Sequence, residues 1–477
     1  MRSGGIKFVG VGVLGLLFGA ATASAQPPES AREWANGRAA VDLLGGRLPQ
    51  VAEANALTAE ELRTRLLTDS SLFVDLGHRL LYVDPIRPSG ETTPSTTTAG
   101  TLTSESVFTL HSAPAASRVI YLDFNGHTLS GTAWNKSTGN RSCYTDAYDS
   151  DGVPSSFSQA ELKEIVGVWS RVAEDFAPFG IDVTTQEPSS DKITRSGSSD
   201  ESYGTRTLIT NSKTRCAKNK TLYQSVCSNG CGGVAYVGVF DDPANHAYYQ
   251  PALVFQNGVG AGQKNLAEAT SHEVGHNLGL GHDGTGSTGY YTGHGSWAPI
   301  MGVGYYEAIT QWSRGEYADA NNVEDDFVLM GASGASPVSD DHPAATPTAL
   351  TVGGSANGVV STRDDKDVFT FTVAAADGST VEVVTTASPA AISPDLDIKL
   401  TLTRLDGTAV SDDPLSGSTS GDAATGMGAS ITQSLPSGTY LLTVDGVGAH
   451  DVRTTGYSDY GSLGRYTISV AATAPSS

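Results

Sequence analysis

Residues 271–283 read Ser-His-Glu-Val-Gly-His-Asn-Leu-Gly-Leu-Gly-His-Asp, and this stretch decides the fold of the chain around it. His272 and His276 are four residues apart, so on an α-helix they lie on one face, one turn apart. Both imidazoles can therefore point at one metal ion. Zn²⁺ suits such a pair because it binds imidazole nitrogen in tetrahedral sites. The spacing predicts a helix that carries a metal site.

The residues around these two histidines complete the pattern. Gly279 comes one turn after His276, and glycine tolerates positive φ at helix ends, so the chain can turn and return His282 as a third ligand. Three protein ligands leave a fourth position for water, as in catalytic zinc sites. Glu273 can reach that water without binding the metal. We therefore predict Zn²⁺ held by His272, His276 and His282, with Glu273 as the catalytic base.

The full pattern HExxHxxGxxHD resembles that of the metzincin zinc metallopeptidases, and Asp283 after the third histidine resembles the reprolysin/adamalysin branch. The resemblance implies a methionine turn beneath the metal, and Met301 in Ala298-Pro-Ile-Met-Gly-Val-Gly304 fits that place. It also implies that Asp283 orients the turn after the third ligand. Astacins and serralysins carry a metal-binding tyrosine two residues after the methionine. Val303 stands there in this chain, so no tyrosine ligand is assigned.

The composition bounds the partners of the protein. The 477 residues carry a formal net charge of −22, which argues against nucleic acid and anionic membranes as partners. Residues 1–25 combine Arg2 and Lys7, an apolar run and the sequence Ala23-Ser-Ala25, as in a secretory signal peptide. No later stretch is long and apolar enough to insert into a membrane. We predict an exported, extracellular protein. The sequence does not fix its oligomeric state, and a monomer is the simplest expectation.

Export makes disulfides plausible for the four cysteines. A second zinc site is the alternative, but it would lack a CxxC pair, so two disulfides are favoured. Four cysteines allow three pairings, and the sequence does not choose among them. The cysteines are Cys143, Cys216, Cys227 and Cys231.

Residues 26–105 look separate from the metal-binding part. They contain two segments of helical apolar spacing, a short apolar run at Leu80–Val83, and a Ser/Thr-rich polar stretch at 88–101. A small region between a signal peptide and a peptidase is most simply a propeptide, which would make the protein a zymogen. An N-terminal accessory region is the alternative. No cysteine precedes Cys143, so latency would need a carboxylate or simple blockage of the groove.

Residues 106–331 are predicted as an α+β peptidase domain with a mixed sheet and the zinc helix. In metzincins an edge strand takes the extended substrate as an additional strand, and Gly233–Val239 is the candidate here. The predicted strands are Val119–Phe124, Ile181–Thr185, Thr207–Thr210, Gly233–Phe240 and Ala252–Phe255.

Residues 332–347 are rich in Gly, Ala, Ser, Asp and Pro and predict a flexible linker. Residues 348–477 contain short apolar or alternating runs separated by turn residues, which predict an all-β sandwich. Asp364-Asp-Lys-Asp-Val-Phe-Thr-Phe371 and the segment 436–446 resemble bacterial pre-peptidase C-terminal domains. A flexible connection predicts that this domain folds alone and is dispensable for hydrolysis of short peptides.

Asp146, Asp149 and Asp151 with Gly152 offer a second candidate metal site, for Ca²⁺. The twelve-residue spacing of a calcium loop is absent, so a solvated turn is favoured.

These observations predict a secreted zinc-dependent endopeptidase that acts on extracellular proteins and peptides. Two alternatives remain: a zinc-dependent hydrolase of non-peptide substrates, and an inactive protease-like binding module.

Overall fold

A computed structural model describes residues 33–86, 101–139, 141–211, 215–216, 221–227, 230–260, 262–413, 418–420 and 423–472. The predicted signal peptide and nearly all of the predicted polar stretch at 88–101 lie outside these residues. In the described part of the chain, none of the helices has the length and apolar character that a membrane crossing requires.

The N-terminal region, residues 33–86, folds into short helices and strands. At the start of the helix Ala59–Thr68, the Thr58 side chain accepts from the Glu61 amide, and the Glu61 side chain returns the bond to the Thr58 amide, which forms a capping box. The elements are β1 (Trp34–Asn36), α1 (Gly37–Leu44), α2 (Leu48–Glu53), α3 (Ala59–Thr68), β2 (Leu72–Asp75) and β3 (Leu80–Val83).

The central region, residues 101–331, contains the predicted zinc helix as α9. Its elements are α4 (Ser104–Val107), β4 (Arg118–Asp123), β5 (Thr128–Leu129), β6 (Cys143–Tyr144), α5 (Gln159–Asp175), β7 (Ile181–Thr184), α6 (Ser190–Ile193), β8 (Tyr203–Thr210), β9 (Arg215–Cys216), α7 (Leu222–Val226), β10 (Gly233–Tyr236), β11 (Ala252–Phe255), α8 (Gln256–Val259), α9 (Gln263–Asn277), β12 (Trp297–Pro299), β13 (Ile309–Gln311) and α10 (Asp326–Ala332).

One mixed sheet runs through both regions, in the order β1-β2-β3-β10-β11-β8-β4-β7. Strands β11, β8, β4 and β7 run parallel to one another, whereas β10 runs antiparallel to β11. The N-terminal region adds its three strands to β10, because β3 pairs with β10 in antiparallel register. The predicted edge strand therefore has a neighbour on both sides.

The core of the central region explains its two long helices. Leu162, Ile165, Val168 and Val172 recur at helical spacing on α5, and all four are buried in one apolar cluster. A capping box between Ser158 and Glu161 starts this helix. Helix α9 packs against α5 on one side and against β8, β10 and β11 on the other. This position buries α9 along its whole length.

The structure contains two disulfides, which select one of the three cysteine pairings that the sequence left open. Cys143 is bonded to Cys216, and Cys227 is bonded to Cys231. The first disulfide joins β6 to β9, which are adjacent strands of a small sheet beside the main one.

The C-terminal sandwich, residues 348–472, consists of two main layers around their own core, antiparallel except for the parallel pair of β14 and β16. One layer has the order β14-β16-β23-β18-β19 and the other β15-β24-β17-β22. Its strands are β14 (Thr348–Ala349), β15 (Ser355–Val360), β16 (Lys366–Val373), β17 (Val381–Pro389), β18 (Ile398–Arg404), β19 (Ala409–Asp413), β20 (Ser418–Ser420), β21 (Ala423–Thr425), β22 (Ala429–Leu435), β23 (Gly438–Gly446) and β24 (Gly464–Ala472).

The predicted fold class is confirmed: a mixed α/β region that carries the histidine helix is followed by a β-sandwich. The predicted flexible linker behaves differently. Ser336 accepts a hydrogen bond from the Gly180 amide at 3.0 Å, and Val338 donates one to Pro178 at 2.9 Å. Pro343 then pairs with Asp367 of the sandwich. These contacts fix the connecting segment, residues 332–347, against both of its neighbours.

The sandwich also packs directly against the central region. One apolar cluster combines Trp297, Ile309 and Tyr317 of the central region with Met427, Ala449 and Tyr457 of the sandwich. The Tyr460 hydroxyl accepts from the Phe327 amide at 3.0 Å and donates to Asp325 at 2.8 Å. The interface thus contains both buried apolar side chains and specific hydrogen bonds.

Candidate metal centre

Helix α9 ends where the sequence predicts a turn. The amide of Gly279, whose φ is +100°, donates to the His276 carbonyl at 2.9 Å. The Leu280 amide donates to the Gly275 carbonyl at 3.0 Å. Both bonds satisfy carbonyls that the end of the helix would leave free. The reversal brings His282 back beside the two helical histidines.

The imidazoles of His272, His276 and His282 face one another. Each Nδ1 atom bonds outward: that of His272 to the Ile300 carbonyl at 2.8 Å, and that of His276 to the Leu280 carbonyl at 2.9 Å. The Nε2 atoms of all three point inward. Among the described residues, none of these buried Nε2 atoms has a hydrogen-bond partner. An Nδ1–H that donates outward leaves the Nε2 lone pair free, which is the arrangement that metal-binding histidines need.

The outward bond of the third histidine goes to the N-terminal region. Nδ1 of His282 lies 2.7 Å from a carboxylate oxygen of Asp69, at the end of α3. Burial alone would lower the pKa of His282, but the Asp69 carboxylate outweighs it and raises that pKa to about 9. Such a carboxylate behind a histidine fixes the orientation of the ring.

A second carboxylate from the N-terminal region lies at the centre of the three histidines. Asp84 follows β3, and its Oδ2 atom lies 3.1 Å from Nε2 of His272 and 3.8 Å from Nε2 of His276. Its Oδ1 atom lies 3.2 Å from Nε2 of His282. One ligand atom from each of the four residues lies within 4.8 Å of all the others. Three nitrogens and one carboxylate oxygen form a donor set that suits tetrahedral Zn²⁺.

The Asp84 carboxylate and the three imidazoles influence one another's pKa values. Burial disfavours the charged form of Asp84, but His272, His276 and His282 together outweigh burial and hold the pKa of Asp84 well below its usual value. Burial lowers the pKa of His276 to about 4. A neutral imidazole is the form that binds a metal ion.

Glu273 lies beside this centre. Burial, and then the neighbouring Asp84 carboxylate, raise the pKa of Glu273 well above its usual value. Its Oε2 atom is buried and has no hydrogen-bond partner within the described ranges. The carboxyl group is therefore close to the four-residue cluster but is not one of its members.

Aromatic rings enclose the histidines. The ring of Tyr82 stacks on that of His276 with 4.2 Å between centroids. The ring of Tyr290 lies 4.1 Å from that of His282, and its hydroxyl donates to Oδ1 of Asp84 at 2.7 Å. Burial raises the pKa of Tyr290 well above its usual value, so the hydroxyl keeps its proton.

Met301 and Asp283 lie below and behind the histidines. Met301 is fully buried, and its sulfur packs so closely on Gly275 of α9 that a side chain there would collide with it. The Asp283 amide donates to the Met301 carbonyl at 2.8 Å, which ties the turn after His282 to the methionine segment. Burial raises the pKa of the Asp283 carboxyl to about 8.

The main chain of Asp84 is attached to the predicted substrate edge. Its amide donates to the Gly233 carbonyl at 3.0 Å, and its carbonyl accepts from the Gly232 amide at 2.9 Å. Upstream, the Leu80 carbonyl accepts from the Val237 amide at 3.0 Å. The segment that ends in Asp84 is thus bound along β10 as an additional strand.

The candidate calcium loop has the contacts of a turn. Oδ1 of Asp149 accepts from the amides of Gly152 and Val153 at 2.6 and 3.0 Å, and Oδ1 of Asp151 also accepts from Val153. Asp149 and Asp151 lie near Glu161, but Glu161 is engaged in capping α5. The structure gives calcium no support at this loop.

Residues 181–283 match the family model described as metallo-peptidase family M12B, reprolysin-like. The match begins at β7 and ends at Asp283, so this reprolysin-like stretch includes the whole of α9 and all three histidines. It supports Zn²⁺ as the metal that the site suits.

Among solved structures, the chain is similar to the crystal structure of the pre-peptidase C-terminal domain of collagenase from Bacillus anthracis. The identity is 17%, the alignment covers 26% of this chain and 92% of that chain, and the TM-score is 0.17. No curated protein matches the chain.

The structure adds three residues that the sequence did not point to: Asp69, Asp84 and Tyr290. The first two belong to a region about 190 residues before the histidine helix, and no spacing rule links them to it. Tyr290 lies between the third histidine and the methionine, where no motif requires a tyrosine. From the sequence, a carboxylate was one of two expected means of latency, beside simple blockage of the groove, and no residue was assigned to it.

Proposed function

We propose that this chain is the precursor of a secreted zinc-dependent endopeptidase. The observation that carries the proposal is the convergence of three inward-facing Nε2 atoms, from His272, His276 and His282, beside the carboxyl of Glu273. The reprolysin-like match over the same residues supports a peptidase over other zinc hydrolases.

The three histidines would hold the zinc ion. When bound, zinc polarises the scissile carbonyl and lowers the pKa of a water molecule toward neutrality. Glu273 accepts a proton from this water while the water oxygen forms a bond to the carbonyl carbon. The same carboxyl then gives its proton to the peptide nitrogen as the C–N bond breaks. The products are a carboxylic acid and an amine, which become a carboxylate and an ammonium group when the acid proton passes to the amine, and Glu273 returns to its starting state. Met301 and Asp283 support the turn that positions His282.

Strand β10 is the surface that binds the substrate. Its side away from β11 pairs with β3 in the precursor, and an extended peptide can pair with it in the same way once β3 has left. Main-chain pairing places few demands on substrate sequence, which suits an enzyme for proteins and peptides.

The N-terminal region acts as the propeptide. It covers β10 with β3 and places Asp84 among the three histidines, where a substrate carbonyl would otherwise bind. Ion pairs hold it to the central region, among them Arg65 with Glu324 at 2.7 Å and Arg79 with Asp242. Activity would thus appear when residues 33–86 are cut from the chain and dissociate. Export under a signal peptide at 1–25, action outside the cell and a monomeric state complete the proposal.

The test uses the processed protein and two variants. Wild type should release peptides from casein, and a zinc chelator should stop the release. Glu273→Gln should keep about one zinc per chain while turnover falls by about 10²-fold or more, because it removes only the positioned base. His276→Ala should lose zinc as well. Zinc loss from Glu273→Gln would show that the ligand set is wrong.

The same assay separates the alternatives. An inactive binding module would retain zinc and leave casein intact. A hydrolase of non-peptide substrates would also leave casein intact but would hydrolyse simple esters in a zinc-dependent reaction. Sequencing the N-terminus of active enzyme tests the latency scheme, which expects a start after residue 86 and before the buried Val107.

A further inference from the structure

The Tyr290 hydroxyl has an unusual pair of partners. It donates to Oδ1 of Asp84 at 2.7 Å, and it lies 3.4 Å from the hydroxyl of Ser71. Both partners belong to the N-terminal region. Within the described residues, departure of that region therefore removes every hydrogen-bond partner of this hydroxyl. The ring stays in place, because it packs against His282 and His272, with centroids 4.1 and 6.2 Å away.

The Asp84 carboxylate shows what the hydroxyl is positioned to bind. Its two oxygens lie on one carbon atom: Oδ2 lies 3.1 Å from Nε2 of His272, and Oδ1 lies 3.2 Å from Nε2 of His282. During peptide hydrolysis the attacked carbon also carries two oxygens, one from water and one from the former carbonyl. The carboxylate therefore stands in for that pair of oxygens, and Tyr290 touches one of them.

The chemistry of a phenol indicates which of these two oxygens the Tyr290 hydroxyl would contact. Glu273 accepts a proton, so its carboxyl group is suited to interact with the oxygen that comes from water. A phenol O–H donates, so it suits the oxygen that gains negative charge as the carbonyl is attacked. We propose that Tyr290 is a catalytic residue that donates a hydrogen bond to the scissile carbonyl oxygen in the transition state.

Other tyrosines near the site do not compete for this role. Tyr82 packs on His276 but belongs to the N-terminal region and would leave with it. Tyr305 packs against the apolar core, and Tyr306 is 46% exposed. Tyr290 thus supplies a donor from the loop between the third histidine and Met301, although the position two residues after the methionine is Val303.

The experiment compares Tyr290→Phe with Tyr291→Phe in the processed enzyme. Tyr291 is the matched control, because its hydroxyl bonds Nδ1 of His294 at 2.6 Å rather than a residue of the cluster. Three quantities are measured: kcat and KM on a peptide, zinc per chain, and the affinity for a phosphinic peptide. The phosphinic group carries two oxygens on a tetrahedral phosphorus atom and imitates the transition state.

For Tyr290→Phe, kcat should fall by about 10²-fold, the lower end for loss of one such donor, with KM little changed. The affinity for the phosphinic peptide should fall by a similar factor, and zinc content should stay at that of the wild type. Tyr291→Phe should resemble the wild type in all three quantities.

Three results would overturn the assignment. Unchanged kcat in Tyr290→Phe would show that the hydroxyl does not act in the reaction. A fall in kcat without weaker phosphinic binding would show that it acts elsewhere than on the transition state. Loss of zinc would show a structural role. The inference rests on the proposed peptidase function, but the two fail separately: inactive wild type with bound zinc refutes the function, whereas active wild type with a normal Tyr290→Phe refutes only this role.

Discussion

Glu273 keeps its position because residue 233 has no side chain. A Cβ atom at Gly233 would overlap the Oε1 atom of Glu273, and the rest of the carboxyl group lies just beyond it. The same residue accepts the main-chain hydrogen bond from Asp84 through its carbonyl. Gly233 therefore lets Glu273, the proposed base, approach the strand on which the substrate is expected to lie.

Gly233→Ala should displace the Glu273 carboxyl while leaving the histidines in place. Turnover of a short peptide should fall by about 10²-fold, as for loss of a positioned base, and zinc content should be unchanged. Gly197→Ala in the central region is the control, because a Cβ there meets nothing within 4 Å. Normal turnover in Gly233→Ala would mean that the base does not need this position.

Asp84→Ala in the full-length precursor should release activity early. The substitution removes the carboxylate from the centre of the histidines, and a hydrogen bond to a charged group contributes about 1.5–3 kcal/mol. Each 1.4 kcal/mol is a factor of ten, so activity without processing should rise by about tenfold or more. Peptide turnover by uncleaved precursor is the measurement, with the exposed Asp42→Ala as control. If the uncleaved Asp84→Ala precursor turns over peptide no faster than the wild-type precursor, latency would depend on β3 alone.

Much of the site follows from local sequence, because its geometry is local. The spacing of His272, His276 and Gly279 specifies a helix, a face and a turn, and the structure has all three. Strand β11 falls on the predicted residues, whereas β10 ends at Tyr236, before Gly238 with its φ of +62°.

The parts that sequence did not predict depend on contacts across long stretches of chain. The position of Asp84 is set by the pairing of β3 with β10. The sequence of a four-residue strand does not indicate which strand it will pair with. The connecting segment has the composition of a linker, yet its backbone bonds to Gly180 and Pro178 hold it in place. The composition of a segment indicates whether it can be flexible. Whether it is held in one conformation depends on the contacts that it makes with the surface beside it.

The interface with the sandwich should make stability depend on pH through Glu174. Burial raises the pKa of this carboxyl to about 8, although Arg465 of the sandwich opposes the rise. The folded protein therefore keeps a proton that the unfolded chain releases above pH 4.5, so stability should fall as pH rises toward 8. The slope from one such group is at most about 1.4 kcal/mol per pH unit.

Glu174→Gln removes this dependence and keeps the size of the side chain. Its Tm should exceed that of the wild type at pH 8, and the difference should shrink near pH 5. Thermal unfolding across that range, with the exposed Glu53→Gln as control, is the measurement. A constant difference between Glu174→Gln and wild type at all pH values would contradict the assignment.

Removal of residues 348–477 should destabilise the central region, contrary to the expectation of an independent sandwich. The truncation would expose Trp297 and Ile309, which are 6% and 0% exposed in the whole chain. Exposing a large apolar side chain costs about 1.5–3 kcal/mol. We expect a lower Tm and a tendency to aggregate, measured by thermal unfolding and light scattering. An unchanged Tm with full peptide turnover would restore the view that the sandwich is dispensable.

The pairing of β3 with β10 has a consequence for solubility. In the precursor, the sheet ends on this side at β1, a strand of three residues, and such a short edge resists pairing with other molecules. If the N-terminal region is removed as proposed, the open edge moves to β10, whose four residues are buried in the whole chain. The proposed substrate surface would then also be one that a second molecule could bind. Because β10 is so short, a processed protein would offer little length for self-association, and in the whole chain β3 of the N-terminal region covers even that length.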